Sequence, residues 1–341
     1  MSASHAVVFF VVVLGLAFEF LNGFHDSANA IATVVATRVL RPGVAVLMAG
    51  GLNLAGALSG TAVAVTLGTG IVDPKSVSET TVAVALLCAA AWDLITWYFG
   101  LPTSSSHALI FSLIGAAVAI RGLSVIVLVG TVRTAIGIAY SPLIGLAFAA
   151  LIMLALYWLL HHTRPSVVGN VFGRLQLVSS AYMAFSHGGN DGQKTMGVIA
   201  LALFSAGMTG STFTVPVWVI VACAVAMGLG TSLGGWRIIN TMGHKLVKLA
   251  PVNGFAAETA AGTVIEIATR LGIPISTTHA ISGAILGVGI VKGSRNVGWQ
   301  VAGNMVTAWI LTIPVCFAFG FIMMSGLAAI AGLGVAIPGL P

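Results

Sequence analysis

Gly100-Leu101-Pro102-Thr103-Ser104-Ser105-Ser106-His107-Ala108 and Gly272-Ile273-Pro274-Ile275-Ser276-Thr277-Thr278-His279-Ala280 are two versions of one stretch, offset by 172 residues (107 to 279). In each, hydroxyls follow a proline and lead into an apolar run, the pattern of a helix N-terminus. A second pair, Asn22-Gly23-Phe24-His25-Asp26 and His187-Gly188-Gly189-Asn190-Asp191, comes earlier at an offset of 165 (26 to 191). Two copies of one polar site in an apolar chain read as a membrane transporter built from internal repeats and handling a small polar solute.

Composition narrows the class. Of 341 residues, 58% are hydrophobic and 6% are charged. Mean hydropathy is +1.07. A soluble domain carries about 25% charged residues, so this class is excluded. Apolar runs at 6–21, 44–67, 80–101, 134–160, 214–235 and 297–337 are long enough to cross a bilayer, which takes about 20 residues as helix. No basic segment precedes the first run, so it does not read as a cleaved signal peptide. The 42 glycines suit close helix packing and broken helices in lipid.

The net charge of +6 does not point to nucleic acid, because Arg38, Arg41, Arg121, Arg164, Arg174, Lys245, Lys248, Lys292 and Arg295 are scattered through short loops, as in cytoplasmic membrane flanks. Cys88, Cys223 and Cys316 stand singly in apolar sequence and suggest neither a disulfide nor a metal site.

The expected architecture is an all-α integral membrane protein, a polytopic helical bundle of two repeats with broken helices and re-entrant hairpins and about 10–12 membrane helices. Residues 1–160 form the first transmembrane repeat, 161–174 a short polar linker around His161-His162-Thr163-Arg164-Pro165, and 175–341 the second. Gly60 to Val72 weakly matches Gly235 to Val247. Segments 104–119 and 277–291 are short and begin with polar residues, as halves of re-entrant hairpins do. About five crossings separate the two Asp motifs; an odd number makes the repeats inverted. The protein is expected to span the plasma or inner membrane many times, with the lipid bilayer as its surroundings.

Six of the eight acids, Glu19, Asp26, Asp93, Asp191, Glu258 and Glu266, fall in or beside apolar segments. A carboxylate at membrane depth is costly and marks an ion or substrate pathway. Asp26 and Asp191 follow glycine-containing turns where the helix is expected to unwind; freed carbonyls, the carboxylate and the amides of Asn22 and Asn190 would make a hard-oxygen seat for Na⁺, or the carboxylate would hold a proton. The bland alternative is a turn with an Asp cap.

The hydroxyl runs Thr103, Ser104, Ser105, Ser106 and Ser276, Thr277, Thr278 are anion-site candidates: free N–H groups, O–H donors and the helix dipole would surround a tetrahedral oxyanion. Lys194 adds a point charge or snorkels to the interface. His107 and His279 are matched, as proton relays or as core histidines; His25 and His187 are less well paired. Trp92, Trp97, Trp158 and Trp309 read as packing or interfacial aromatics.

At these residues the chain resembles the inorganic phosphate transporter family, in the form of its bacterial low-affinity permeases. Asn22-Gly23-Phe24-His25-Asp26-Ser27-Ala28-Asn29-Ala30 is similar to the family's first signature and Phe185-Ser186-His187-Gly188-Gly189-Asn190-Asp191-Gly192-Gln193-Lys194 to its second. Pro274 to His279 and Gly254-Phe255-Ala256-Ala257-Glu258 match too. The resemblance implies cation-coupled phosphate import, no enzymatic activity and no organic cofactor. It places phosphate among Asp26, Asn29, Thr103, Ser104, Ser105, Ser106, Asp191, Gln193, Lys194, Ser276, Thr277 and Thr278. The coupling cation, H⁺ or Na⁺ and no other metal, falls to Asn22, Asp26, Asp93, Asn190, Asp191 and Glu258.

The chain departs from the family at Asn53, where many relatives have Glu, at Asp93, where some have Gln, and at His25, where many have Asn. These changes leave the coupling ion open, and sulfate is an alternative cargo. Association as a homodimer is a further expectation.

Two rival classes fit less well. An intramembrane hydrolase would use Ser104, Ser105 or Ser106 with His107, yet adjacent helical residues do not face each other, and the motif occurs twice. A divalent-cation transporter would favour carboxylate and imidazole clusters over hydroxyls at helix starts.

Overall fold

The computed structural model describes residues 3–332, and the last part of the apolar run ending at 337 lies outside the described residues. The described chain folds into twelve α-helices: α1 (Ala3–Ala36), α2 (Pro42–Ala57), α3 (Ala62–Gly70), α4 (Glu79–Phe99), α5 (Ser105–Arg121), α6 (Leu128–Leu160), α7 (Pro165–Ser205), α8 (Val217–Leu233), α9 (Trp236–Asn240), α10 (Pro251–Arg270), α11 (Thr277–Lys292) and α12 (Trp299–Gly332).

Four helices are individually long and apolar enough to cross a membrane, within 6–36, 79–99, 128–160 and 299–332. Two broken spans, α2–α3 bent by 66° and α8–α9 with its π-helical continuation bent by 58°, bring the number to six among the described residues. Large apolar side chains such as Phe9, Leu128, Val129, Trp158 and Ile322 point outward, while Glu19, Asp93, Lys194 and Glu258 are buried. That inversion of a soluble protein's polarity fits a multi-pass integral membrane protein.

The two repeats share local grammar. α4 ends at Gly100 (φ 65°) and α10 is followed by Gly272 (φ 64°), each in the left-handed conformation that glycine adopts without strain. A proline follows in both. α5 and α11 then start on Ser104 and Ser276, whose hydroxyls accept the amides of His107 (3.3 Å) and His279 (3.2 Å). α4–α5 and α10–α11 are thus the two hairpins. Thr66 donates to the Gly272 carbonyl (2.7 Å) and Thr241 to the Gly100 carbonyl (2.8 Å), so each broken span grips the turn of the opposite hairpin. Antiparallel bridges Val72–Ile126 and Val247–Val297 repeat the correspondence.

The inversion is visible in how α1 meets α7. Gly15 packs on Ile199, Glu19 bonds to Thr195, and Asp26 lies near Asp191 and His187. Numbers rise along α1 as they fall along α7, so the matching helices run antiparallel. The repeats also exchange partners: α5 packs along α12 and α11 along α6. Glycines allow that approach, with Gly115 against the Phe317 carbonyl, Gly320 against Ser112, and Gly283 and Gly287 against Pro142 and Leu146.

Three expectations change. α1 and α7 stay helical through Gly23 and through Gly188–Gly189; these glycines let neighbouring backbones close in, Gly23 on the Met227 carbonyl and Gly188 on Asn53. The breaks fall instead at 58–61 and 234–235. The polar segment 161–174 is a turn only to residue 164, because Pro165 starts α7. Glu266 is not in the interior: it pairs with exposed Arg270 one turn on, at 2.8 Å.

Candidate functional site

The antiparallel α1–α7 pair carries the carboxylates, and the two hairpin tips carry the hydroxyls. Ligand atoms of Asp26, His187 and Asp191, all buried, lie within 4.8 Å of one another. Thr277 donates to Asp191 Oδ2 (2.7 Å) and Thr278 lies 3.4 Å from Asp26 Oδ2. Asn29 Nδ2 donates to Thr278 (2.9 Å) and Thr277 (3.2 Å). From the other tip, Ser106 accepts from Lys194 Nζ at 2.5 Å. Lys194 also pairs with Asp191 Oδ1 and donates to the Ile275 carbonyl (2.7 Å). Carboxylates, hydroxyls, an ammonium and two helix N-termini therefore meet in one buried place.

Two histidines treated as secondary in the sequence belong to this centre. His25 Nδ1 donates to Asp26 Oδ1 (2.7 Å), and its Nε2 contacts Thr96 Oγ1 (3.1 Å). Thr103 in turn donates to Thr96 (2.9 Å), so a chain of contacts runs from Asp26 to the first hairpin tip. In the second repeat, Asn190 stands where His25 does and donates to Thr269 (2.9 Å), but Ile275 occupies the place of Thr103 and the chain stops.

His187 Nδ1 lies 3.1 Å from Asn53 Oδ1, which only accepts, so this nitrogen carries the proton. Neutral His187 then turns the Nε2 lone pair toward Asp191 Oδ2 at 3.2 Å. Two acceptors facing each other call for a positive charge, either a second proton on the ring or a cation shared with Asp26. No motif spacing signals this contact; Asn53 comes from α2 and registers only as a departure from the family pattern.

Other expected residues sit elsewhere. Gln193 accepts from Val63 N (2.8 Å) and donates to the Gly189 carbonyl (2.7 Å), so it fastens the start of α3 and is not turned to the hydroxyls. Glu258 is buried among Thr33 (2.5 Å), Ser179 (2.5 Å) and Gln176 (3.1 Å), away from the hairpin tips. Thr33 is seven residues beyond Asp26 on α1, about 10 Å along the helix. Asp93 is buried with the Ser105 hydroxyl beside its carboxylate, and Oδ1 of Asn22 and of Asn190 have no partner among the described residues. Unpaired buried acceptors of this kind mark where an ion, water or ligand would be held.

Known proteins match this chain along most of its length. The phosphate transporter family profile matches residues 22–169 and 162–320. A probable low-affinity inorganic phosphate transporter of Rhizobium meliloti (strain 1021) is 50% identical over 305 residues, covering 89% of this chain and 91% of that one. Its namesake in Bacillus subtilis (strain 168) is 42% identical over 314 residues, covering 92% and 94%. Among solved structures, a sodium-dependent phosphate transporter superposes with a TM-score of 0.89 at 24% identity, over 95% of this chain and 100% of the other, a likeness of fold.

Proposed function

This chain belongs to the phosphate transporter family, a family of transport proteins and not of enzymes, and we propose that it imports inorganic phosphate through the cell membrane by symport with H⁺ or Na⁺. The observation that carries the proposal is the meeting of the second hairpin tip with Asp26 and Asp191 and of the first tip with Lys194 beside them. Phosphate docks between the tips, taking N–H and O–H donors from the starts of α5 and α11.

Bare carboxylates repel a dianion at such range. A cation between Asp26, His187 and Asp191 removes that repulsion, so the anion binds well only after the cation has bound. Access alternates as the inverted repeats exchange roles, each hairpin moving with the opposite repeat's long helix, α5 with α12 and α11 with α6.

Labelled phosphate uptake into proteoliposomes under imposed Na⁺ or pH gradients, with sulfate as competitor, tests the proposal. Uptake that follows one gradient and resists sulfate supports it. Accumulation indifferent to both gradients removes the symport reading. The imidazole beside the two carboxylates also favours a second reading, a divalent ion travelling with the anion, which co-transport of labelled metal would report.

A further inference from the structure

Lys194 is 2% exposed, and its ammonium is fully engaged. Its three N–H groups meet three oxygens of different kinds: the Asp191 carboxylate, the Ser106 hydroxyl at 2.5 Å and the Ile275 carbonyl at 2.7 Å. Carboxylate, hydroxyl and backbone carbonyl are also the oxygen types that hold a hard monovalent cation. Nζ has no N–H left for an anion unless one of these contacts breaks.

The inverted repeat supplies an internal comparison. The residue 165 positions before Lys194 is Asn29, three after Asp26 as Lys194 is three after Asp191. Asn29 reaches Thr278 at 2.9 Å, and Thr278 is the counterpart of Ser106 at the opposite tip. The two side chains thus make the same cross-repeat contact, one with an uncharged amide and the other with a fixed positive charge.

We infer that the Lys194 ammonium is a tethered cation occupying a monovalent-cation seat formed by Asp191, Ser106 and Ile275, so that the second repeat requires no free ion there. The inference rests on the transport reading above and adds to it. The free coupling cation is confined to the Asp26–His187–Asp191 side, and Lys194 holds the first hairpin tip against α7 until the seat is disturbed.

The test replaces Lys194 with the residue of the other repeat. Lys194→Asn is reconstituted, and exchange of labelled phosphate is followed in choline, K⁺ or Na⁺, equal on both sides so that no gradient drives it. The variant is expected to lose about tenfold or more of its exchange rate in choline, the scale of one charge-assisted contact. Na⁺ should restore most of it, with one more Na⁺ in the concentration dependence than the wild type shows. A second readout is independent of transport: Na⁺, and not choline, should raise the thermal unfolding temperature of the purified variant by more than that of the wild type. Lys194→Asn combined with Asp191→Asn should lose this response.

A Lys194→Asn protein that unfolds at the wild-type temperature and stays inactive in every salt overturns the inference. So does a Na⁺ dependence equal to the wild type's in both readouts. If the variant cannot be recovered folded in any salt, including Na⁺, the seat cannot accept a free ion and the inference fails as well. Absence of phosphate exchange in the wild type defeats the transport reading instead, while the thermal comparison still reports on the seat.

Discussion

His107 and His279, each three residues beyond the serine that caps its helix, face each other with ring centroids 4.6 Å apart, at the point where the two hairpin tips touch. His279 also packs on Trp309 at 4.0 Å, and Trp309 donates to the Pro102 carbonyl at the entrance to the first tip (2.8 Å). The pair is a packing joint between repeats. Replacing His107 with Phe keeps an aromatic ring there and should leave the unfolding temperature within a few degrees of wild type. His107→Ala should cost about 2–4 kcal/mol through the space it opens. Thermal unfolding in detergent separates the two outcomes; equal loss in both variants would indicate that a ring nitrogen is what matters.

Asp26→Asn and Asp191→Asn should both abolish cation-driven phosphate uptake, but they should differ in stability. Asp191→Asn strands the buried Lys194 ammonium, a change on the order of 3–5 kcal/mol when a buried pair loses one member. Asp26→Asn strands no lysine or arginine, only the His25 ring that donated to it, and should unfold closer to wild type. Unfolding temperatures of the two purified variants give the comparison, and normal accumulation by either would remove that residue from the coupling role.

The buried Ser105 hydroxyl lies beside the Asp93 carboxylate at the start of α5, whereas Thr277 donates to Asp191 at 2.7 Å. Ser105→Ala should raise the KM for phosphate about tenfold or more with only a small fall in the unfolding temperature, the loss of one weak contact to Asp93. Thr277→Val should raise the KM and lower the unfolding temperature further, because the Asp191 carboxylate loses a donor. Uptake kinetics measured beside thermal unfolding distinguish a ligand contact from a structural one.

A side chain at Gly283 would strike the Pro142 carbonyl, and backbone gives way far less readily than a side-chain end. Gly283→Val should sharply reduce the yield of monodisperse protein. Gly303→Val is the control, since nothing lies within 4 Å of a Cβ placed there. Fluorescence-detected size exclusion of the two variants should show the contrast.

The duplicated motifs made much of the fold legible, because two copies of Pro, hydroxyls and His fix where α5 and α11 begin. Glycine misled at Gly23 and Gly188: the same residue serves a broken helix and a close helix crossing, and only the neighbouring backbone tells which. The partners of each carboxylate were largely invisible, since Thr195 beside Glu19, or Thr33, Gln176 and Ser179 around Glu258, come from other helices at no regular spacing. Asymmetry between the repeats was equally hidden. At the repeat-related positions of Glu258, Thr33, Gln176 and Ser179 stand Leu86, Val198, Val11 and Leu14, all apolar, so that carboxylate cage exists on one side of the centre alone.

The exchange of partners between repeats has a consequence for biosynthesis. α5 is made early, yet the helix it packs along, α12, is the last in the described chain. While the ribosome completes the intervening residues, the first hairpin sits in the bilayer with Gly115 facing lipid or a temporary neighbour in place of the Phe317 backbone. The first half is thus inserted but unfinished until the second arrives, so a truncated product would display a hydroxyl-rich hairpin without its mate, a ready target for membrane quality control.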